Sequence, residues 1–169
     1  MDIYFISGVH GVGKGTLCNE IRSLININAY SCSDIIKANS DYIEEGKGVQ
    51  DAKGNQSTLL FGLGKLNDSS ILLDGHFCLL GKSGSIIELD FSVFDDIRPK
   101  KIITVTCDTN EIRRRLFERD GVEQDVKLLD DFQAKELEQT LKYCESRNVP
   151  NFLYRSGDDV TDLVEWIQS

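Results

Sequence analysis

A chain of 169 residues, 40 % apolar and 28 % charged, has the size and usage of one ordinary globular domain with a real core. Its net charge of −9 speaks against extended nucleic-acid or anionic-membrane binding, although Arg113, Arg114, Arg115 and Arg119 leave room for one local anion site. No apolar run spans a bilayer, Met1 to Ile6 lacks a signal-peptide pattern, and five scattered cysteines without a Cys-x-x-Cys pair read as packed thiols in a reducing cytoplasm.

In chain order, the β-branched and aromatic run Ile3 to Ser7 predicts a buried strand that ends at a glycine. Lys14 to Asn26 places Leu17, Ile21, Leu24 and Ile25 at helical spacing. A short strand over Ala29 to Cys32 precedes a helix through Ile35, Ile36 and Ala38, capped by Ser33 or Asp34. Residues 41–55 are polar and read as a mobile excursion, and Gln56 to Leu66 is weakly helical because Gly62 and Gly64 oppose it.

Ser70 to Leu73 is a strand ending in Asp74-Gly75-His76. Phe77 to Leu89 predicts a hairpin around Gly81-Lys82-Ser83-Gly84, and Phe91 to Ile97 a short helix stopped at Arg98-Pro99. Lys101 to Cys107 is a strand; Asp108 or Thr109 caps the next helix, which Gly121 interrupts. A long helix over Asp125 to Arg147 turns Leu128, Leu129, Phe132, Leu137, Leu141 and Cys144 inward. Phe152 to Tyr154 is the last strand and Thr161 to Ile167 the last helix. Strands alternating with helices imply an α/β fold with a parallel sheet and helices on both faces, one domain over residues 1–169.

Gly8-Val9-His10-Gly11-Val12-Gly13-Lys14 fits the phosphate-loop pattern G-x-x-x-x-G-K, between a strand and a helix as that motif requires. Glycines at 8, 11, 13 and 15 let backbone amides approach phosphates, the helix start near Gly13 aims its positive end at the same anion, and Lys14 adds a point charge. Gly15 stands where the strict motif carries a hydroxyl, so Thr16 contacts a phosphate or an ion-bound water instead. Asp74, closing an apolar strand, faces magnesium and its waters, or else caps the turn at Gly75. ATP and Mg2+ are the implied ligands.

The Gly13-Lys14-Gly15-Thr16 ending resembles the adenylate kinases and related nucleoside monophosphate kinases, and the strand end Asp74-Gly75-His76 before a small hairpin is similar to the archaeal-type adenylate kinases. The resemblance covers most of the chain in order of elements and is motif-specific at the phosphate loop, at Asp74 to His76 and at the arginine cluster. It implies a P-loop NTPase fold, a five-stranded parallel sheet with the N-terminal strand central and the ligands at its carboxyl edge. It puts Arg115 on the adenine and Arg119 on the transferring phosphate, though both also suit a solvated helix face. The acceptor region is 33–68, and 119–127 is a short, acidic lid.

Two positions depart from the family. Cys78 stands where it has an acceptor-phosphate arginine, and Lys37 in Ser33-Asp34-Ile35-Ile36-Lys37 replaces another. Lys37 and His76 are the candidate acceptor-binding residues; His76 equally suits a satisfied half-buried histidine, and Lys53, Lys65 and Lys82 stay unranked. The expected activity is ATP-dependent phosphoryl transfer to a small phosphorylated acceptor, a nucleoside monophosphate first. A nucleotide-binding regulatory protein with weak ATPase activity and a protein partner, or a kinase for a nucleic-acid end or another metabolite, are the alternatives.

Overall fold

The computed structural model describes residues 1–40 and 52–169; of the excursion expected over 41–55, residues 41–51 lie outside the described residues, and from Ala52 the chain is helical. The elements are β1 (Asp2–Ser7), α1 (Lys14–Leu24), β2 (Asn28–Ser31), α2 (Cys32–Ala38), α3 (Ala52–Gly64), β3 (Ser70–Gly75) and the hairpin strands β4 (Cys78–Leu80) and β5 (Ile86–Glu88). After the hairpin come α4 (Phe91–Ile97), β6 (Lys101–Thr106), α5 (Thr109–Asp120), α6 (Val126–Arg147), β7 (Asn151–Arg155) and α7 (Thr161–Gln168).

Five parallel strands pair in the order β2-β3-β1-β6-β7, so the N-terminal strand is central as expected. The strands are apolar on both faces because both are covered. Tyr4, Ile6, Leu72, Ile103 and Val105 join one buried cluster with Leu17 and Ile21 of α1, Ile112 of α5 and Leu163 of α7. Ile3, Phe5, Ile71, Leu73 and Ile102, their neighbours along each strand, join the other with Ile35 of α2, Leu59 of α3 and Phe94 of α4. That alternation is the period of two of a strand, read on two faces.

Three expectations need correction. Ser31 caps α2, its hydroxyl accepting the Asp34 N–H at 3.4 Å, so neither Ser33 nor Asp34 is the cap. The helix expected from Gln56 begins at Ala52 and runs through Gly62. The buried face of α6 is Leu129, Phe132, Glu136, Gln139, Thr140, Tyr143 and Cys144, while Leu141 is 44 % exposed. The helix is rotated from its hydropathy stripe because its middle turns bury polar groups. Thr140 donates to the Glu136 carbonyl at 2.8 Å, and Gln139 donates to Glu88 of β5 at 2.8 Å. At the carboxyl end of β6, the Gln133 side chain pairs with both the N–H and C=O of Cys107 at 2.9 Å.

Candidate active site

At the carboxyl edge of the sheet the loop after β1, the end of β3, helix α5 and the loop after β7 surround one cleft of about 540 Å³. Its floor is the phosphate loop. β1 ends at Ser7, and Gly13, in left-handed conformation at φ 106°, caps α1. A Cβ at Gly13 would lie 2.8 Å from Ser156 Oγ and 3.1 Å from Arg115 Nη1, both movable side-chain ends, so it is the positive φ that calls for glycine there. Val12 is fully buried beneath the loop and anchors it to the core.

Lys14 is 6 % exposed. Its ammonium donates to Gly8 O at 2.5 Å and Val9 O at 3.2 Å, and lies 3.6 Å from the Asp74 carboxylate. Burial lowers the Lys14 pKa, and Asp74 and then Glu136 oppose that shift. Burial likewise raises the pKa of Asp74, with Lys14 pulling it back. The two side chains thus face each other on the floor of the cleft.

Arg115 and Arg119 both line the cleft from α5, one helical turn apart. Arg115 Nη1 donates to Gly11 O at 3.3 Å, Val12 O at 3.2 Å and Ser156 Oγ at 3.2 Å, while its Nε donates to Glu111 at 2.9 Å. It thus ties the phosphate loop to the loop after β7. Arg119 is 57 % exposed and paired with Asp120 at 2.7 Å. Thr16 and Gly15 are exposed on the cleft wall.

The structure therefore brings Gly11, Gly13, Lys14, Gly15, Thr16, Asp74, Arg115 and Arg119 to one cleft. Gly8 and Val12 lie behind it, and the Gly8 N–H is engaged by Glu136 at 3.1 Å. Lys37 is exposed on α2, on the lining of neither cavity described here. His76 lines a second cavity of about 260 Å³ between α2, α3, α4 and the hairpin, walled by Phe5, Ile36, Leu59, Val93, Phe94 and Ile97. Cys78, where the resembling family has an arginine, is fully buried.

His76 Nδ1 lies 2.7 Å from Gly8 O. A carbonyl only accepts, so Nδ1 carries the proton and Nε2 is left an acceptor. Burial, then Lys14 and His10, push the His76 pKa down to about 3, so the ring is neutral. The His10 ring sits 4.3 Å from it, centroid to centroid.

Glu136, His10 and Ser156 were missed from sequence. A glutamate in a long charged helix carries no signal of burial. Ser156 and Gly157 did carry one, because they follow a parallel strand at the edge where ligands sit.

Sheet order and phosphate loop together define an α/β fold of the P-loop NTPase class. A family model described as AAA domain matches residues 7–133, more than half the chain, and spans the phosphate loop, Asp74 and the arginine helix. The chain belongs to that family. No curated protein matches it in sequence. Among solved structures it is similar to a shikimate kinase from Bacteroides thetaiotaomicron at 16 % identity and TM-score 0.57, covering 99 % of this chain and 96 % of that one. It is also similar to a gluconokinase from Sinorhizobium meliloti at 14 % identity and TM-score 0.54, covering 97 % and 87 %. At such identities the likeness is one of fold.

Proposed function

We propose that the protein moves the γ-phosphoryl group of ATP to an oxygen of a small acceptor held in the second cavity. One observation carries this reading: β3 ends between the two spaces. Asp74 lines the cleft, and the next two residues, Gly75 and His76, line the cavity. A triphosphate on the loop and an acceptor beside His76 would face each other across the strand end. The acceptor oxygen bonds to the γ-phosphorus as the bond to the ADP oxygen breaks, its hydroxyl proton leaving to water, and no covalent enzyme intermediate is needed. Lys14 and Arg119 neutralise charge on the phosphoryl oxygens, and Arg115 holds the loop and borders the nucleotide.

The donor set fits a divalent cation that arrives with the nucleotide. Asp74 and Thr16 border the cleft, and among the described residues no cluster of three or more His, Cys, Asp or Glu side chains could hold a resident ion. Magnesium typically takes one or two carboxylates plus phosphates and waters. That ion would supply charge neutralisation at the phosphates. Among the described residues no helix is long and apolar enough to cross a membrane. The free thiols of all five cysteines favour a reducing cytoplasm.

Two acceptor classes compete. The motif resemblance favours a nucleoside monophosphate, with Lys37 and His76 near its phosphate. The cavity favours an uncharged hydroxyl compound. Its described lining holds no lysine or arginine, and His76 is neutral, with Nε2 able to accept a hydroxyl proton in a hydrogen bond. Two of the structures similar in fold are named as kinases of gluconate and of shikimate, neither a nucleotide.

The test is ADP formation from ATP and magnesium with a panel of nucleoside monophosphates and of neutral alcohols and polyols. Acceptor-dependent ADP release is expected, strongest with a neutral acceptor, and K14A should lower it at least about 100-fold while the protein stays folded. Release driven only by a monophosphate would restore the nucleotide acceptor. Slow hydrolysis indifferent to every acceptor would replace the kinase by a regulatory nucleotide-binding protein.

A further inference from the structure

The most buried charged side chain among the described residues belongs to neither cavity. Glu136 of α6 is 2 % exposed. Its carboxylate accepts the Gly8 N–H at 3.1 Å, the Phe77 N–H at 2.9 Å on both oxygens, and the Cys78 N–H at 2.7 Å. A buried carboxylate is a poor way to gain stability, because desolvation opposes what its bonds return. What three convergent amides secure is geometry.

That geometry lies where the sheet stops holding the site together. β1 and β3 are paired as far as Ser7 and Gly75. One residue later the chains part, Gly8 into the phosphate loop and His76 toward the hairpin. Glu136 reaches in from a third element and bridges them. His76 makes the second tie, from Nδ1 to Gly8 O at 2.7 Å, and Lys14 adds a second donor to that carbonyl at 2.5 Å. Gly8 is thus gripped through the N–H of the peptide before it by Glu136 and through the C=O of the peptide after it by His76 and Lys14. Only glycine suits this position, because a Cβ at Gly8 would lie 2.9 Å from Val105 O.

We propose that Glu136 is a positioning residue for the nucleotide site: its carboxylate sets the Gly8 peptide, and with it the phosphate loop, at a fixed spacing from the Asp74-Gly75-His76 strand end. The assignment rests on reading the cleft as a nucleotide site. It also makes Glu136 a second carboxylate which, after Asp74, opposes the lowering of the Lys14 pKa by burial.

The chemistry selects the variant. Three N–H groups face two oxygens, and glutamine offers one oxygen and a donor NH2. If the E136Q oxygen keeps Phe77 and Cys78, the Gly8 N–H faces a donor and loses its partner. Calorimetry should show ATP–Mg bound about 10- to 100-fold more weakly by E136Q than by wild type, as expected when a binding loop is displaced. In 15N-glycine-labelled protein the Gly8 amide proton should lie downfield and exchange slowly in wild type, and move upfield in E136Q. Q139A, which removes one of the two bonds from α6 to Glu88 and leaves that of Lys135, is the structural control: it should lower the melting temperature and leave ATP affinity unchanged.

If E136Q only loses stability as Q139A does, with ATP affinity and the Gly8 amide unmoved, the positioning role is overturned. Should E136Q fail to fold, the wild-type Gly8 amide decides alone: slow exchange and a downfield shift uphold the carboxylate bond, and free exchange removes it. Wild type that binds no ATP–Mg overturns the nucleotide reading instead, which E136Q binding as tightly as wild type would not.

Discussion

At the scale of single residues the site depends on a few side chains that hold backbone. Arg115 is the clearest, since one guanidinium nitrogen reaches two carbonyls of the phosphate loop and the Ser156 hydroxyl. Glu111 orients it, and bonds to Arg114 and then Arg115 push the Glu111 carboxyl pKa down to about 2. A role in clamping the loop differs from the adenine stacking that the family resemblance implies, and the two roles separate by experiment. R115A should weaken ATP binding about 10-fold. R115K should not restore it, because a single ammonium cannot reach the loop while a second nitrogen stays on Glu111, as Nη1 and Nε of the guanidinium do. The comparison of ATP with inorganic triphosphate by calorimetry decides between them. A clamp weakens both ligands alike, and a loss confined to ATP would return Arg115 to the base.

At the scale of elements, α2 and α3 show why a glycine that looks like a defect in a helix is a contact. Gly62 lowers the helical pattern of its segment, yet a Cβ there would run into Ile35 Cγ2 and come within 2.8 Å of Asn39 Nδ2. The absence of a side chain lets the two helices meet. Gly64 has nothing within 4 Å of its Cβ position. G62A should therefore cost about 1–3 kcal/mol by overpacking, whereas G64A should be neutral or stabilising by up to about 1 kcal/mol. Urea unfolding of both checks the pair, and equal effects would refute the contact. The same contrast explains what the sequence made legible. The strands were readable because neighbouring apolar residues such as Phe5 and Ile6 serve opposite faces. The phosphate loop was readable because its spacing is fixed by the anion it wraps. The rotation of α6 was not, since hydropathy scores Glu136, Gln139 and Thr140 as solvent-facing. The second cavity was not, since Phe5, Ile36, Leu59 and Phe94 come together only when β1, α2, α3 and α4 pack.

At the scale of the whole molecule, the buried ionisable groups around Gly8 couple the site to folding through pH. His76 is held neutral, its pKa at about 3 against about 6.5 in an unfolded chain. Between those values the unfolded state binds a proton that the folded state refuses, so stability is fully present above about pH 6.5 and falls as pH drops toward 3. His10, lowered first by burial and then by Lys14, acts with the same sign. Asp74 and Glu136 act with the opposite sign, because burial raises both and the folded state takes their protons first. The net slope mixes all four, so the test is a difference. H76N keeps a side-chain donor for Gly8 O and removes the titration. Going from pH 7.5 to pH 5, wild type should lose on the order of 1–2 kcal/mol more unfolding free energy than H76N. The carboxylates and His10 are common to both proteins and cancel to first order. Parallel pH profiles would mean that His76 takes up its proton in the folded protein. The ring that argues for an uncharged acceptor would then carry charge below about pH 6.5, and the case for a phosphorylated one would be the stronger.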